Sequence, residues 1–491
     1  MTHETDLGTG DPESPPVADT ADTADTADTA DVADTADVAD VTEVRTPEPV
    51  VRQPRHFACF DGLRAIAAVS VLLLHTAWVS GFTTRSSLGA YTSRLEIGVS
   101  VFFLISGFLL YRPFAVSHLS GRTAPNRRRF WERRLLRIVP AYWLALTVLT
   151  YFVHEVSIGA GWQGFVAHYF FLQIYFPTQV FDGITQAWSL CTEMSFYLVL
   201  PFYAAAIGYR RRSPKNQLVR ELIGLGVLYA VSFGFRYWIL HMPLLTVKNG
   251  KFVSICSPHC ATNPPLSTLM IDWLPAYLDM FALGMLLAVT SAWFAEHGTE
   301  PAWLRHRLMP WVSWIGAAVA FVTVSHVVTD HDIFYFVIPR VNLERQALYG
   351  LFAFLLLLPA VFGPQDRSLI RRLLRSWPMA SLGVISYGIY LWHLDLITEV
   401  DQWTGWRPGH ISYWMLAGLV LSVTVLVASA SYFGLERPLL RLKDRISWWD
   451  GPARRSGKPD PGPPSVAHEP PTDGRRPLVP GSGPQPADER A

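Results

Sequence analysis

An arginine and a histidine eleven residues apart, Arg64 and His75, lie within the apolar run CFDGLRAIAAVSVLLLHTAWVSGF, Cys59 to Phe82. In a helix each residue turns about 100° and rises about 1.5 Å. The two side chains then fall within about 20° of one another, roughly 16 Å apart along the axis. Asp61 sits one turn before Arg64, close to the same stripe, as its ion-pair or capping partner. Ionisable groups are costly in hydrocarbon, so this stripe must face protein or water. The available chemistry is specific. An imidazole, ordinarily titrating near neutrality, takes the proton of a hydroxyl, and a guanidinium holds a phosphate or diphosphate.

The elements that position these residues are membrane helices. The chain of 491 residues is 50% hydrophobic and only 16% charged, against about 25% charged in soluble domains. Eighteen tryptophans suit aromatic belts at a bilayer interface. A formal net charge of +1 selects no polyanionic partner, and no nucleic acid is expected. Apolar runs of about 20 residues predict ten spans: 59–80, 96–116, 138–157, 188–207, 220–240, 271–291, 309–328, 346–363, 379–399 and 412–433. The apolar piece GWQGFVAHYFFLQIYF, 161–176, is short and flanked by polar turns, which predicts a re-entrant or interfacial segment. The stretches RRRFWERRLLR, RRRSPK, RHR and RRLLR follow alternate spans. Positive-inside bias then puts both termini in the cytoplasm, and an eleventh span would break the alternation. The fold class is therefore an all-α integral membrane bundle of about ten helices in the cell membrane.

Both ends fall outside this bundle. Residues 1–56 carry the repeat TADTADTADTADVADTADVADV, acidic and poor in large apolar side chains, and are expected to be disordered. They lack the basic start and short apolar run of a signal peptide. The Pro/Gly-rich stretch 449–491 reads as a second disordered tail, leaving 57–448 as the membrane domain.

Counting from the non-basic end of each span brings four groups to one level. His75, Glu193, His393 and Asp279 then lie roughly 7–12 Å below that boundary, at about 1.5 Å per residue. Four helices offering an acid, a base or an imidazole at one depth mark a candidate site. At the opposite boundary Arg64, Arg133, Arg134 and Arg137 gather beside NRRR, 126–129. Anion holding is expected for Arg64, Arg134 and Arg137, and headgroup contact for Arg127 to Arg129.

Six motifs, in order, resemble the acyltransferase-3 family of integral membrane acyltransferases. DGLRAIAAVSVLLLH is similar to the family's arginine, ten residues, histidine opening. GVSVFFLISGFLLYRPF (98–114) resembles its second span, and FWERRLLRIVPAYW (130–143) the arginine-rich start of its third. AWSLCTEMSFYLVLP (187–201), LGVISYGIYLWH (382–393) and ERP (436–438) complete the set. The resemblance covers about 57–445. It implies an enzyme moving an acyl group, commonly acetyl, from cytosolic acyl-CoA to a hydroxyl of a glycan, glycolipid or macrolide-type natural product. It also implies His75 as the principal catalytic candidate and Arg64 as required. Some members append an SGNH-type domain; with few residues after the last span, a stand-alone membrane module is expected.

On this reading His75 is the general base, Glu193 orients its imidazole or places the acceptor, and His393 assists. Direct acylation of His75 is the weaker alternative. Arg64, Arg134, Arg137 and Asp279 bind substrate. Ser106 and Gly107 lie in LISGF, which lacks the G-x-S-x-G of a nucleophile elbow, so they are expected to let helices approach closely. Tyr387 and Tyr390 pack around His393, and Glu436 is expected to end the last helix and tie it to the bundle. Cys256 and Cys260 flank His259 without a second ligand pair, which disfavours zinc and leaves a loop disulfide on the oxidising side. No metal and no tightly bound cofactor are expected. Acyl-CoA is a co-substrate. The rival class is a polytopic transporter or lipid flippase, since intramembrane charges also line transport paths.

Overall fold

The structure, a computed structural model, describes residues 57–445 except 160, 177–178, 181, 211, 243–244, 249–250, 255–265, 299, 328–338, 366–367 and 405–411. The two tails expected to be disordered, and the Cys256–Cys260 pair with His259, lie outside the described residues.

The long helices are α1 (Cys59–Val79), α2 (Ile97–Ser120), α3 (Arg127–Val148), α4 (Trp188–Ile207), α5 (Pro214–Leu240), α6 (Leu278–His297), α7 (Met309–His326), α8 (Pro339–Val361), α9 (Trp377–Val384), α10 (Ser386–Thr404) and α11 (Tyr413–Ser431). Their starts follow ordinary capping chemistry where polar residues are at hand. The Asn126 side chain accepts from the Arg128 and Arg129 amides ahead of α3, and Ser213 from the Asn216 amide ahead of α5, where Pro214 takes the first turn. Among the described residues nine helical stretches are long and apolar enough to cross a membrane, and ten if the α9–α10 pair counts as one. The piece at 161–176 forms only an eight-residue helix, Trp162–Tyr169, and a 3-10 turn, Gln173–Tyr175. A two-stranded antiparallel hairpin, Leu245–Lys248 with Lys251–Ser254, follows α5.

Two expectations change. The span 379–399 is not one helix: α9 and α10 meet at Ile385 with a bend of 68°. Ser386 Oγ donates to the Gly383 carbonyl at 2.8 Å, giving that carbonyl a partner where the helical ladder is interrupted. Glu436 does not end the last helix either. A π-helical turn, Tyr432–Glu436, follows α11 and leads into a further helix, Arg437–Arg445. The wider turn accommodates Pro438, which has no N–H to give.

α2 is the central element. Its span is 72% buried, whereas that of α5 is 17% buried and must face lipid over most of its surface. α2 packs most extensively along α6, and α1 lies against α2, α9, α10 and α11. Reciprocal glycines make the α2–α6 contact. A Cβ on Gly107 would run into the Phe281 carbonyl, and one on Gly284 into the Leu104 carbonyl. Without a hydrophobic drive between helices in lipid, such backbone approach supplies dispersion contact. Gly107→Val must push α2 from α6, because the obstacle is backbone. It is expected to cost at least about 1–3 kcal/mol, read as lower thermal stability in detergent by fluorescence-detected size exclusion.

Candidate active site

Three arginines expected at one membrane boundary share one cavity of about 80 Å³. It is lined by Arg64 of α1, Ser106 of α2, Arg134 and Arg137 of α3, Glu193 and Tyr197 of α4, and Ser386, Tyr387 and Tyr390 of α10. Helical periodicity explains the grouping: Arg134 and Arg137 are three residues apart on one face of α3, and that stretch is helical from Arg127 onward. Asp61 stands 3.8 Å from Arg64, as the i, i+3 spacing allows. Arg134 Nε is buried with no protein partner, so a donor remains for an anion in this cavity. Tyr387 also donates to the Ile138 carbonyl at 3.0 Å, tying α10 to α3.

Glu193 lies with these arginines rather than with His75. Its Oε1 accepts from Ser106 Oγ, in a close contact, and from Tyr197 OH at 2.6 Å. Ser106 is thus a hydrogen-bonding residue of the cavity, while its neighbour Gly107 supplies the close helix packing. The separation of Glu193 from His75 has a simple cause. Depth counted from helix ends assumes level ends, but the segment before α4 folds into the bundle, where His168, Gln173 and Gln186 are buried. α4 therefore starts deep.

His75 instead meets His393. The Nδ1 of His75 is 3.0 Å from Nε2 of His393, with ring centroids 5.0 Å apart. His393 Nδ1 lies 2.7 Å from the Tyr390 carbonyl, and His75 Nδ1 lies 3.0 Å from the Val71 carbonyl. A carbonyl only accepts, so both Nδ1 atoms carry the hydrogen in the neutral rings. His393 Nε2 then shares the one Nδ1 hydrogen of His75 with the Val71 carbonyl as a second acceptor, and the lone pair of His75 remains on Nε2. His393 is fully buried and His75 half-buried. The pair connects to the arginine cavity through Tyr390, which lines the cavity one turn before His393. Tyr390 OH shares a 2.7 Å hydrogen bond with Ser189 Oγ and donates to the Gln186 carbonyl at 3.0 Å. Gln186 Nε2 in turn donates to the Leu391 carbonyl at 2.7 Å, locking the start of α4 to α10.

Asp279, the fourth member of the expected level, is elsewhere. It is fully buried between α5 and α8, taking Ser232 Oγ at 2.8 Å and Gln346 Nε2 at 3.0 and 2.9 Å. Its hydrogen bonds hold three helices together. Among the described residues no group of three or more His, Cys, Asp or Glu side chains could hold a metal.

Residues 57–433 match the acyltransferase domain of the acyltransferase-3 family. The chain belongs to the acyltransferase-3 family. It is similar to acyltransferase MdmB of Streptomyces mycarofaciens, at 27% identity over 81% of this chain and 94% of that protein. It is also similar to O-acetyltransferase OatA of Staphylococcus aureus, at 24% identity over 79% of this chain and 57% of that protein. Peptidoglycan O-acetyltransferase OatA of Listeria monocytogenes is 24% identical, with 81% and 58% covered. The chain thus spans little more than half the length of the two OatA relatives. No solved structure matches it.

Within this acyltransferase-3 bundle the sequence reasoning passed over two intramembrane charges of α5, Glu221 and Arg236. Glu221 is fully buried and accepts from Tyr111 OH at 2.5 Å, with His118 Nδ1 2.6 Å away. Arg236 is buried at 3% exposure and donates to the Ala276 carbonyl and to Asn342 Oδ1. The signal was present, since a charge inside an apolar span calls for a partner on a neighbouring helix.

Proposed function

We propose that this protein is a membrane O-acyltransferase that moves a short acyl group from acyl-CoA to a hydroxyl of a glycan, glycolipid or natural-product acceptor. The arginine-rich end faces the cytosol, with both termini on that side. What supports this reading is one placement: Arg64, Arg134 and Arg137 surround a cavity that Tyr390 also lines, and the Tyr390 carbonyl lies 2.7 Å from Nδ1 of His393, the partner of His75. The cationic side chains suit the phosphates of a CoA ester. Its small volume and the phenylalanine and leucine side chains of its wall suit a short acyl chain.

In the reaction the acceptor oxygen attacks the thioester carbonyl while His75 Nε2 takes the hydroxyl proton. The carbon–sulfur bond then breaks, and the proton returns from the imidazolium to the departing thiolate, giving acyl ester and free CoA. His393 holds the imidazole through Nδ1, so Nε2 is presented as the base. Glu193, fixed by Ser106 and Tyr197, balances part of the arginine charge.

The test uses the full chain in lipid nanodiscs with radiolabelled acetyl-CoA and a lipid and glycan extract of the producing cells. Label recovered in an ester, or acceptor-independent release of CoA, is the expected result. Intact CoA ester together with movement of unmodified lipid or glycan across proteoliposomes would establish the transporter reading instead.

A further inference from the structure

A second cavity, of about 250 Å³, lies on the far side of a wall from the arginine cavity. Asp272, Arg236, Glu96, Tyr349, Trp188 and Tyr277 line it. The wall is built from α2 and the first turns of α4. Val99 lines both cavities, Trp188 faces the second, and Ser189 and Glu193 face the first. Thr192 pins this wall, donating to the Asp272 carbonyl at 2.5 Å.

We propose that this second cavity binds a sugar unit of the acceptor, with Asp272 and Arg236 holding a vicinal pair of its hydroxyls. The proposal rests on the acyltransferase reading for the word acceptor, though not for the site itself. Two observations carry it. The first is unused hydrogen-bonding capacity. Arg236 Nη2 has no partner in the structure although the side chain is 3% exposed. The Asp272 carboxylate accepts no hydrogen bond among the described residues, where only its backbone amide and carbonyl are engaged. A carboxylate that only accepts, beside a guanidinium that only donates, matches adjacent hydroxyls, each of which does both. The second is the aromatic lining. Trp188 and Tyr349 bring aromatic surface to the cavity for the C–H face of a pyranose ring, and the Tyr277 ring holds Arg236, 4.9 Å from its centroid. The volume lies just under the roughly 300 Å³ at which drug-sized pockets begin, which suits one ring rather than an oligomer.

Glu96 also lines this site, accepting from Tyr349 OH at 2.7 Å and lying 3.7 Å from Arg345.

The test is saturation-transfer NMR on the full chain in nanodiscs with methyl β-D-glucopyranoside and its 2-acetamido analogue, using cyclohexylmethanol as the diol-free control. Binding of radiolabelled CoA is measured on the same samples. Transfer to the glycoside ring protons is expected, with an apparent Kd raised at least tenfold in Asp272→Asn and unchanged CoA binding. Arg236 also ties α5 to the turn before α6 and to α8, so Arg236→Lys, which keeps the charge but loses the fork, is the second variant, with the same expected weakening. No transfer from wild type that still binds CoA would overturn the proposal. Glycoside binding at wild-type affinity in both variants would also overturn it. Loss of CoA binding with Asp272-dependent glycoside binding intact would overturn the acyl-CoA reading and leave the sugar site standing.

Discussion

His75→Ala is expected to lower acyl transfer by about 10²–10⁴-fold, the usual contribution of a positioned general base, or roughly 3–5 kcal/mol in activation free energy. Expression and membrane insertion should be unaffected, since α1 keeps its apolar face and its packing against α2, α9 and α10. The measurement is acyl ester formed from labelled acetyl-CoA, normalised to monodisperse protein. Full activity in the variant would remove His75 from the chemistry. His393→Phe sharpens the test. It keeps a ring of similar size while removing the acceptor that faces His75 Nδ1 at 3.0 Å. The imidazole then keeps the Val71 carbonyl but loses the second of the two partners that fix its orientation, so a loss of about tenfold is expected, smaller than that of His75→Ala. Were the two variants equally inactive, the proton would have to pass through both rings, and His393 would be a catalytic group rather than a positioning one.

The helices were more legible in the sequence than the way their side chains meet. Long apolar runs located the crossing segments, and the shortness of 161–176 kept it from being counted among them. Arg64, Arg134 and Arg137 could be grouped because all three lie within a few turns of basic boundary sequence, a strong depth signal. Glu193 and Asp279 could not be placed this way. Counting from a helix end fixes depth only if that end is level, and α4 begins inside the fold. Azimuth is a second unknown. Asp279 points to Ser232 and Gln346 on α5 and α8, partners that depth alone does not name. The break at Ile385 was hidden because Gly383, Ile385 and Ser386 are individually tolerated in a membrane helix. It shows only when α9 turns its glycine face onto the Asp61 backbone and α10 turns Tyr387, Tyr390 and His393 inward. A single broken helix among the described residues also differs from the paired broken helices of many transporters.

Arg64→Ala is the companion loss on the donor side. Arg64 projects from α1 into the cavity shared with Arg134 and Arg137, paired at 3.8 Å with Asp61, its side chain only 15% exposed. In so dry a setting a guanidinium–phosphate contact is far stronger than at a surface, because little solvent screens it. Alanine also removes the Arg64–Asp61 pair beside the α1–α9 contact, so part of the effect is lost pairing rather than lost donor binding. Arg64→Ala/Asp61→Asn separates the two. If Arg64 grips the CoA ester, the double variant still shows KM for acetyl-CoA raised about 10–100-fold, the scale of a charged hydrogen bond of about 1.5–3 kcal/mol. Its thermal stability should meanwhile return toward that of wild type. Arg64→Lys should recover only part of the affinity, because a point charge does not reproduce bidentate contact. A double variant with wild-type KM and restored stability would make Arg64 an anchor of α1, and donor binding would then rest on Arg134 and Arg137.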